Sequence, residues 1–188
     1  HDWKLPKPEH FNQSNLFKCS EKLDINLLQK AFDALSCQHD LMRAVVKDGH
    51  LFVNGTENTI RIEEYDLTGK ADAVSEISSM CADMKSGIDM AKALMRAAVF
   101  KTDDADYFFI TAHHLIIDGI SWRILGSDLE TVYQQLKSGA DEVKLPAKTH
   151  TYNDYVKAVY EYSRSYRLSR EIPYWESVIS RLPEKNTV

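Results

Sequence analysis

The chain has 188 residues, 44% hydrophobic and 27% charged, enough for one substantial core and close to globular averages, which excludes disorder. Its net charge of −5 is spread among interspersed acids and bases, with no basic stripe of the kind that neutralises phosphates, so nucleic acid is excluded as a partner. No apolar run approaches the roughly 18 to 20 residues of a membrane-spanning helix, so a soluble protein with no membrane partner is expected.

Cys19, Cys37 and Cys81 are odd in number and widely spaced, which argues against a disulfide framework and a zinc site and fits a reducing cytoplasm. The chain opens His-Asp-Trp-Lys-Leu-Pro, with neither an initiator Met nor an apolar signal segment, and reads as a piece of something longer. In chain order, residues 15–19 suit a short strand. Asp24 then stands as an N-cap before Leu27, Leu28, Ala31, Phe32 and Leu35, an amphipathic helical stripe ending near His39 and Asp40. Residues 41–47 and 51–53 flank Asp48-Gly49, a dipeptide suited to a tight hairpin, and residues 59–63 alternate like a third strand.

Val74, Ile77, Met80, Cys81 and Met84 recur at helical spacing over residues 71–85, with Gly87 placed to stop the helix. Strands are expected over 94–101 and 107–113, joined by the acidic turn 102–106. After Gly119, the stripe Ile124, Leu125, Leu129, Val132, Tyr133 and Leu136 predicts a helix to about Ser138, followed by a loop over 139–148. Two more helices are expected near 153–165 and 171–181, with tyrosines (Tyr152, Tyr155, Tyr160, Tyr162, Tyr166) read as packing residues. Helices mixed with antiparallel hairpins make this an α/β chain, an α+β layered sandwich forming a single lobe over residues 1–188.

Chemistry concentrates where the strand over 107–113 ends. Adjacent residues on a strand face opposite sides, so His113 and His114 have different surroundings, one toward a cavity and one packed. Asp118 lies four residues beyond His114, and Gly119 permits a backbone conformation or a close approach that a side chain forbids. A histidine is a natural general base near neutral pH, and a carboxylate beside it can hold local geometry. From residue types alone, satisfied core histidines, a catalytic base and a metal site all stay open; the metal reading lacks a third ligand at a suitable spacing. Ser121 does not mark a hydrolase, because Gly119-Ile120-Ser121-Trp122-Arg123 lacks the second Gly of a nucleophile elbow.

The segment Ile110-Thr111-Ala112-His113-His114-Leu115-Ile116-Ile117-Asp118-Gly119-Ile120-Ser121-Trp122-Arg123-Ile124-Leu125 resembles the His-His-x-x-x-Asp-Gly core of the condensation-domain superfamily of nonribosomal peptide synthetases. Ser121-Trp122-Arg123-Ile124-Leu125 and His10-Phe11-Asn12-Gln13-Ser14 are similar to the epimerization branch. His39-Asp40-Leu41-Met42-Arg43 resembles the His-x-x-Leu-Arg motif, with Met42 in place of leucine, and the segment 88–96 resembles a further family stretch in which Lys92-Ala93 replaces Gly-Pro.

The resemblance covers residues 10–175 and implies a chloramphenicol-acetyltransferase-like fold, of which this chain is the N-terminal half of a V-shaped, two-lobed domain. It implies that His114 exchanges the α-proton of an aminoacyl or peptidyl thioester, interconverting L and D forms during nonribosomal peptide synthesis. His113 then supports the loop, Asp118 pairs with Arg43, and Gly119 leaves room for the thioester arm, with Ser121 and Trp122 as further supporting residues. No metal or directly bound cofactor is implied: the substrate rides on the phosphopantetheine of a peptidyl carrier protein. The missing C-terminal lobe and adjacent synthetase domains are the other implied partners. The family's second proton donor, a glutamate, comes from that lobe, so this chain alone is expected to be inactive. The alternatives are a condensation domain that joins two carrier-bound acyl groups and a non-catalytic docking module for carrier proteins.

Overall fold

A computed structural model describes residues 7–182; the opening residues 1–6, read above as the start of a cut piece, lie outside the described residues. The chain divides into two compact units, His1–Ala147 and Lys148–Val188.

The first unit is built on a four-stranded sheet in the order β1-β6-β5-β4, from β1 (Asn12–Lys18), β4 (Ile62–Asp66), β5 (Met95–Lys101) and β6 (Asp106–His113). β1 and β5 both run antiparallel to β6, Asn12 standing opposite His113 and Lys101 opposite Asp106. β4 and β5 are parallel, which requires a crossover, and helix α2 (Ala73–Ser86) supplies it. Strands β5 and β6 are buried along almost their whole length, and their apolar residues divide by parity. Ala97, Val99, Phe108, Ile110 and Ala112 pack with Leu28, Phe32 and Leu35 of α1 (Ile25–Gln38) and Leu125 and Val132 of α3 (Gly119–Lys137). Ala98, Phe100 and Phe109 pack with Ile77 and Met84 of α2. Helices therefore cover both faces, which is why these strands read as continuous apolar runs rather than alternating ones. Asp24 caps α1 through the N–H groups of Asn26 and Leu27, as its position before the apolar stripe predicts.

A separate hairpin pairs β2 (Ala44–Lys47) with β3 (His50–Val53) around Asp48 and Gly49, whose φ values of 50° and 73° are the pair of positive angles that such a two-residue turn demands. Three expectations are corrected. Residues Asp40–Arg43 form a 3-10 turn instead of opening a strand, because the Arg43 side chain folds back onto the end of α1. The strand read at 59–63 lies at Ile62–Asp66: the Gln29 side chain takes the Ile60 carbonyl and the Ile62 N–H, so ladder pairing begins only there. Val74, counted in the buried stripe of α2, is exposed, since that helix meets the sheet through Ile77 and Met84.

The second unit carries α4 (Tyr152–Ser163), α5 (Tyr166–Ser169) and α6 (Ile172–Ile179). Thr151 and Asp154 form a reciprocal capping box at the start of α4. The tyrosines read as packing residues are exposed, Tyr155 at 62% and Tyr166 at 80%, because these short helices bury none of their own side chains. No helix among the described residues is long and apolar enough to cross a membrane.

Candidate functional site

Strand β6 ends at His113, and the chain turns at once, delivering His114 to the junction of β1, β6 and α3. His113 is 3% exposed; its Nδ1 accepts the Leu115 N–H at 3.1 Å, so it holds the turn from beneath. His114 is half-buried, and its backbone N–H donates to the Phe11 carbonyl at 2.8 Å. The Phe11 ring stacks on the His114 imidazole, centroids 4.8 Å apart and planes 26° from parallel. The same Phe11 ring meets the His113 ring edge-on, at 6.4 Å.

The polar edge of the His114 ring is fully engaged. Nδ1 lies 2.8 Å from the Ile117 carbonyl oxygen, and Nε2 lies 2.9 Å from the side-chain nitrogen of Gln13. The Gln13 Oε1 in turn accepts the Trp122 indole N–H at 2.8 Å. Gln13 can meet both because strand residues alternate: its neighbour Asn12 turns instead to the Lys85 carbonyl at the end of α2. Trp122, one turn into α3, is half-buried against the main core.

Asp118 is the N-cap of α3. Its Oδ1 accepts the Ser121 N–H at 2.7 Å, the Ser121 hydroxyl at 2.7 Å and the Ile120 N–H at 3.1 Å. The Ser121 backbone and hydroxyl donors, then the Ile120 N–H, hold its carboxyl below the usual carboxylate range. The expected ion pair with Arg43 is not formed. Arg43 is buried, and its guanidinium is spent on the Ser36 carbonyl, the Asn54 carbonyl at 3.0 Å and Asp40 at 3.2 Å. Ser36 O is one of the carbonyls that a helix leaves unpaired at its C-terminal end, where a cation is favoured, while Asp118 caps the N-terminal end of another helix. Each charge is consumed by a different helix end.

Gly119 is the first residue of α3 and has no positive φ, so the backbone freedom expected of it is not used. A Cβ there would meet nothing within 4 Å, so its surroundings are open. Among the described residues, no three His, Cys, Asp or Glu side chains gather in metal-binding geometry. Sequence reasoning assigned no role to Gln13 or Phe11. The one available signal was their place in the segment 10–14, because contacts across 101 residues leave no local pattern.

The family model described as "Condensation domain" matches residues 3–187. A plipastatin synthase component of Bacillus subtilis (strain 168) is 37% identical over 182 residues, covering 93% of this chain and 7% of that protein. Bacitracin synthase 1 of Bacillus licheniformis is 32% identical over 178 residues, covering 91% and 3%. Among solved structures, the epimerization domain from the third module of tyrocidine synthetase B superposes with a TM-score of 0.86 at 29% identity, over 95% of this chain and 42% of that one. The starter condensation domain of rhizomide synthetase, at 17% identity and a TM-score of 0.79 over 95% and 44%, shares the fold. The chain thus spans less than half of those domain structures and a small part of the synthases. Its architecture is the mixed α/β, chloramphenicol-acetyltransferase-like one, in a piece the size of the N-terminal lobe.

Proposed function

Because this chain belongs to the condensation-domain superfamily of nonribosomal peptide synthetases, we propose that it is the N-terminal lobe, over residues 1–188, of an epimerization domain acting on a carrier-bound aminoacyl or peptidyl thioester. The observation that carries this branch is the likeness to the tyrocidine synthetase epimerization domain, the most identical of the structures compared above. The use of Ser121 and Trp122 supports it: Ser121 ties down Asp118, and Trp122 reaches across to Gln13 beside the base.

In this reading His114 is the catalytic base. It takes the α-proton, and the electron pair of the broken C–H bond moves into the carbonyl, leaving an enolate-like oxyanion that the site must stabilise away from bulk water. Asp118 fixes the start of α3 and His113 the turn, so that the base keeps its position. The open space beside Gly119 suits a thin phosphopantetheine arm. Reprotonation on the opposite face needs a second acid, which falls to the C-terminal lobe, so the isolated chain does not turn over. The carrier protein and neighbouring synthetase domains are the partners this implies, and the cytoplasm is the expected compartment.

The test is α-proton exchange in deuterated water with one loaded carrier protein and the complete two-lobed domain. An epimerization domain exchanges the α-hydrogen with no acceptor present, and His114→Ala lowers the rate by about 10²- to 10⁴-fold, the usual weight of a general base. Product that forms only when a second loaded carrier is added identifies a condensation domain instead. Full exchange in His114→Ala removes His114 from the role of base, and a domain that binds the loaded carrier but gives neither exchange nor product has only a docking role.

A further inference from the structure

The side chains around His114 form a chain in which every donor and acceptor is determined. An indole N–H can only donate, so the Gln13 atom 2.8 Å from Trp122 Nε1 is its carbonyl oxygen. The Gln13 amide nitrogen therefore faces His114 Nε2, at 2.9 Å. An amide nitrogen can only donate, so Nε2 is the accepting, unprotonated ring nitrogen. At the other edge of the ring, the Ile117 carbonyl can only accept, so Nδ1 carries the proton. The two edges of the imidazole give the same answer independently.

We propose that Gln13, anchored by Trp122, is a positioning residue that holds His114 as the neutral Nδ1–H tautomer with its lone pair on Nε2. The inference rests on His114 being the base assigned above, and it adds what makes that histidine one. Of the two neutral tautomers only this one places the unprotonated nitrogen beside Gln13 and Trp122; the other carries an N–H there and leaves its lone pair at Nδ1, turned toward the Ile117 carbonyl. Gln13 cannot flip its amide to welcome an Nε2–H, because the flip aims its NH₂ at the indole N–H, donor against donor. Phe11, stacked on the ring, restricts tilting of the same imidazole. When the α-proton is transferred to Nε2, the Gln13 amide gives way to the substrate carbon; in the resting site it covers the lone pair.

The tautomer is readable without any turnover. In the full chain with ¹⁵N-labelled histidine rings, His114→Ala identifies the His114 resonances, and the expected spectrum shows a pyrrole-type Nδ1 and a pyridine-type Nε2. An Nε2–H pattern in the unsubstituted protein overturns the proposal. Gln13→Glu replaces the donor with a carboxylate that accepts from Nε2, so the ring becomes doubly protonated and kcat falls by about 10²-fold with KM within about threefold, a loss of base catalysis without loss of binding. Trp122→Phe frees the Gln13 amide to flip and lowers kcat by about tenfold while the fold persists, which keeps the idea testable where Gln13→Glu does not fold. A Gln13→Glu protein whose ring stays neutral and whose kcat is unchanged refutes it. If the ring shows the assigned tautomer and the complete domain exchanges no α-protons, epimerization fails and the positioning role stands.

Discussion

Arg43 gives the sharpest test of the fold, because its buried guanidinium joins three segments. It donates to Ser36 O at the end of α1, to Asn54 O just beyond β3, and to Asp40 within its own turn. Replacing it with Met keeps the bulk of the side chain and removes all three bonds. Hydrogen bonds from a charged donor are worth about 1.5 to 3 kcal/mol each, but the sum overshoots, because the variant is also relieved of burying a charge. The net loss expected for Arg43→Met is about 3 kcal/mol, the low end for breaking a buried ionic contact. In a chain of this size that lowers Tm by roughly 6 to 12 °C. Urea unfolding followed by circular dichroism measures it, with the midpoint falling and the slope unchanged. A double-mutant cycle with Asp118→Asn then asks whether the two residues communicate: the structure predicts additivity, since they cap different helices. A loss under about 1 kcal/mol, or strong coupling in the cycle, refutes the assignment of Arg43 to α1 and restores the Arg43–Asp118 pair.

Two further outcomes follow from the core and the helix cap. Phe32, fully buried and edge-on to Phe108 at 5.9 Å, sits where α1 meets the sheet, so Phe32→Ala costs about 3 to 5 kcal/mol in denaturant unfolding. Asp118 has a carboxyl depressed below its ordinary 3.8 by the Ser121 and Ile120 donors, so its charge stabilises the folded chain fully above that value and the benefit disappears as pH falls through the lower folded value. Asp118→Asn, which keeps a capping oxygen, should therefore be less stable than the unsubstituted chain at about pH 6 and indistinguishable from it once the carboxyl is protonated in both the folded and the unfolded chain; a gap that persists at the acid end of the titration contradicts this.

What was legible in the sequence was what repeats over a few residues. Leu28, Phe32 and Leu35 announce α1, Asp48-Gly49 announces the hairpin, and the acidic turn between β5 and β6 separates two runs that are apolar because both sheet faces are covered. What was not legible depends on partners far along the chain. The β4 boundary is set by Gln29, more than thirty residues earlier, and the turn at Arg43 by a helix-end carbonyl that any cation could have met. At the site, motif residues marked His114, Asp118, Ser121 and Trp122, but the motif resemblance suggested an ion pair that the geometry replaces with two helix caps. Gln13 went unmarked for the plainest reason: it stands out only through its bonds to His114 and Trp122, and no window of sequence contains all three.

The position of β1 at the edge of the sheet, paired among the described residues only with β6, has a consequence for biosynthesis. At ordinary translation rates β1 leaves the ribosome roughly 5 to 20 s before β6 exists to receive it. Through that interval its exposed Leu16 and Phe17 have no ladder to join, and Gln13 has no imidazole to orient. The contact between Gln13 and His114 thus waits on one of the longest loop closures in the lobe, and a nascent chain that has made every helix up to α2 still lacks it.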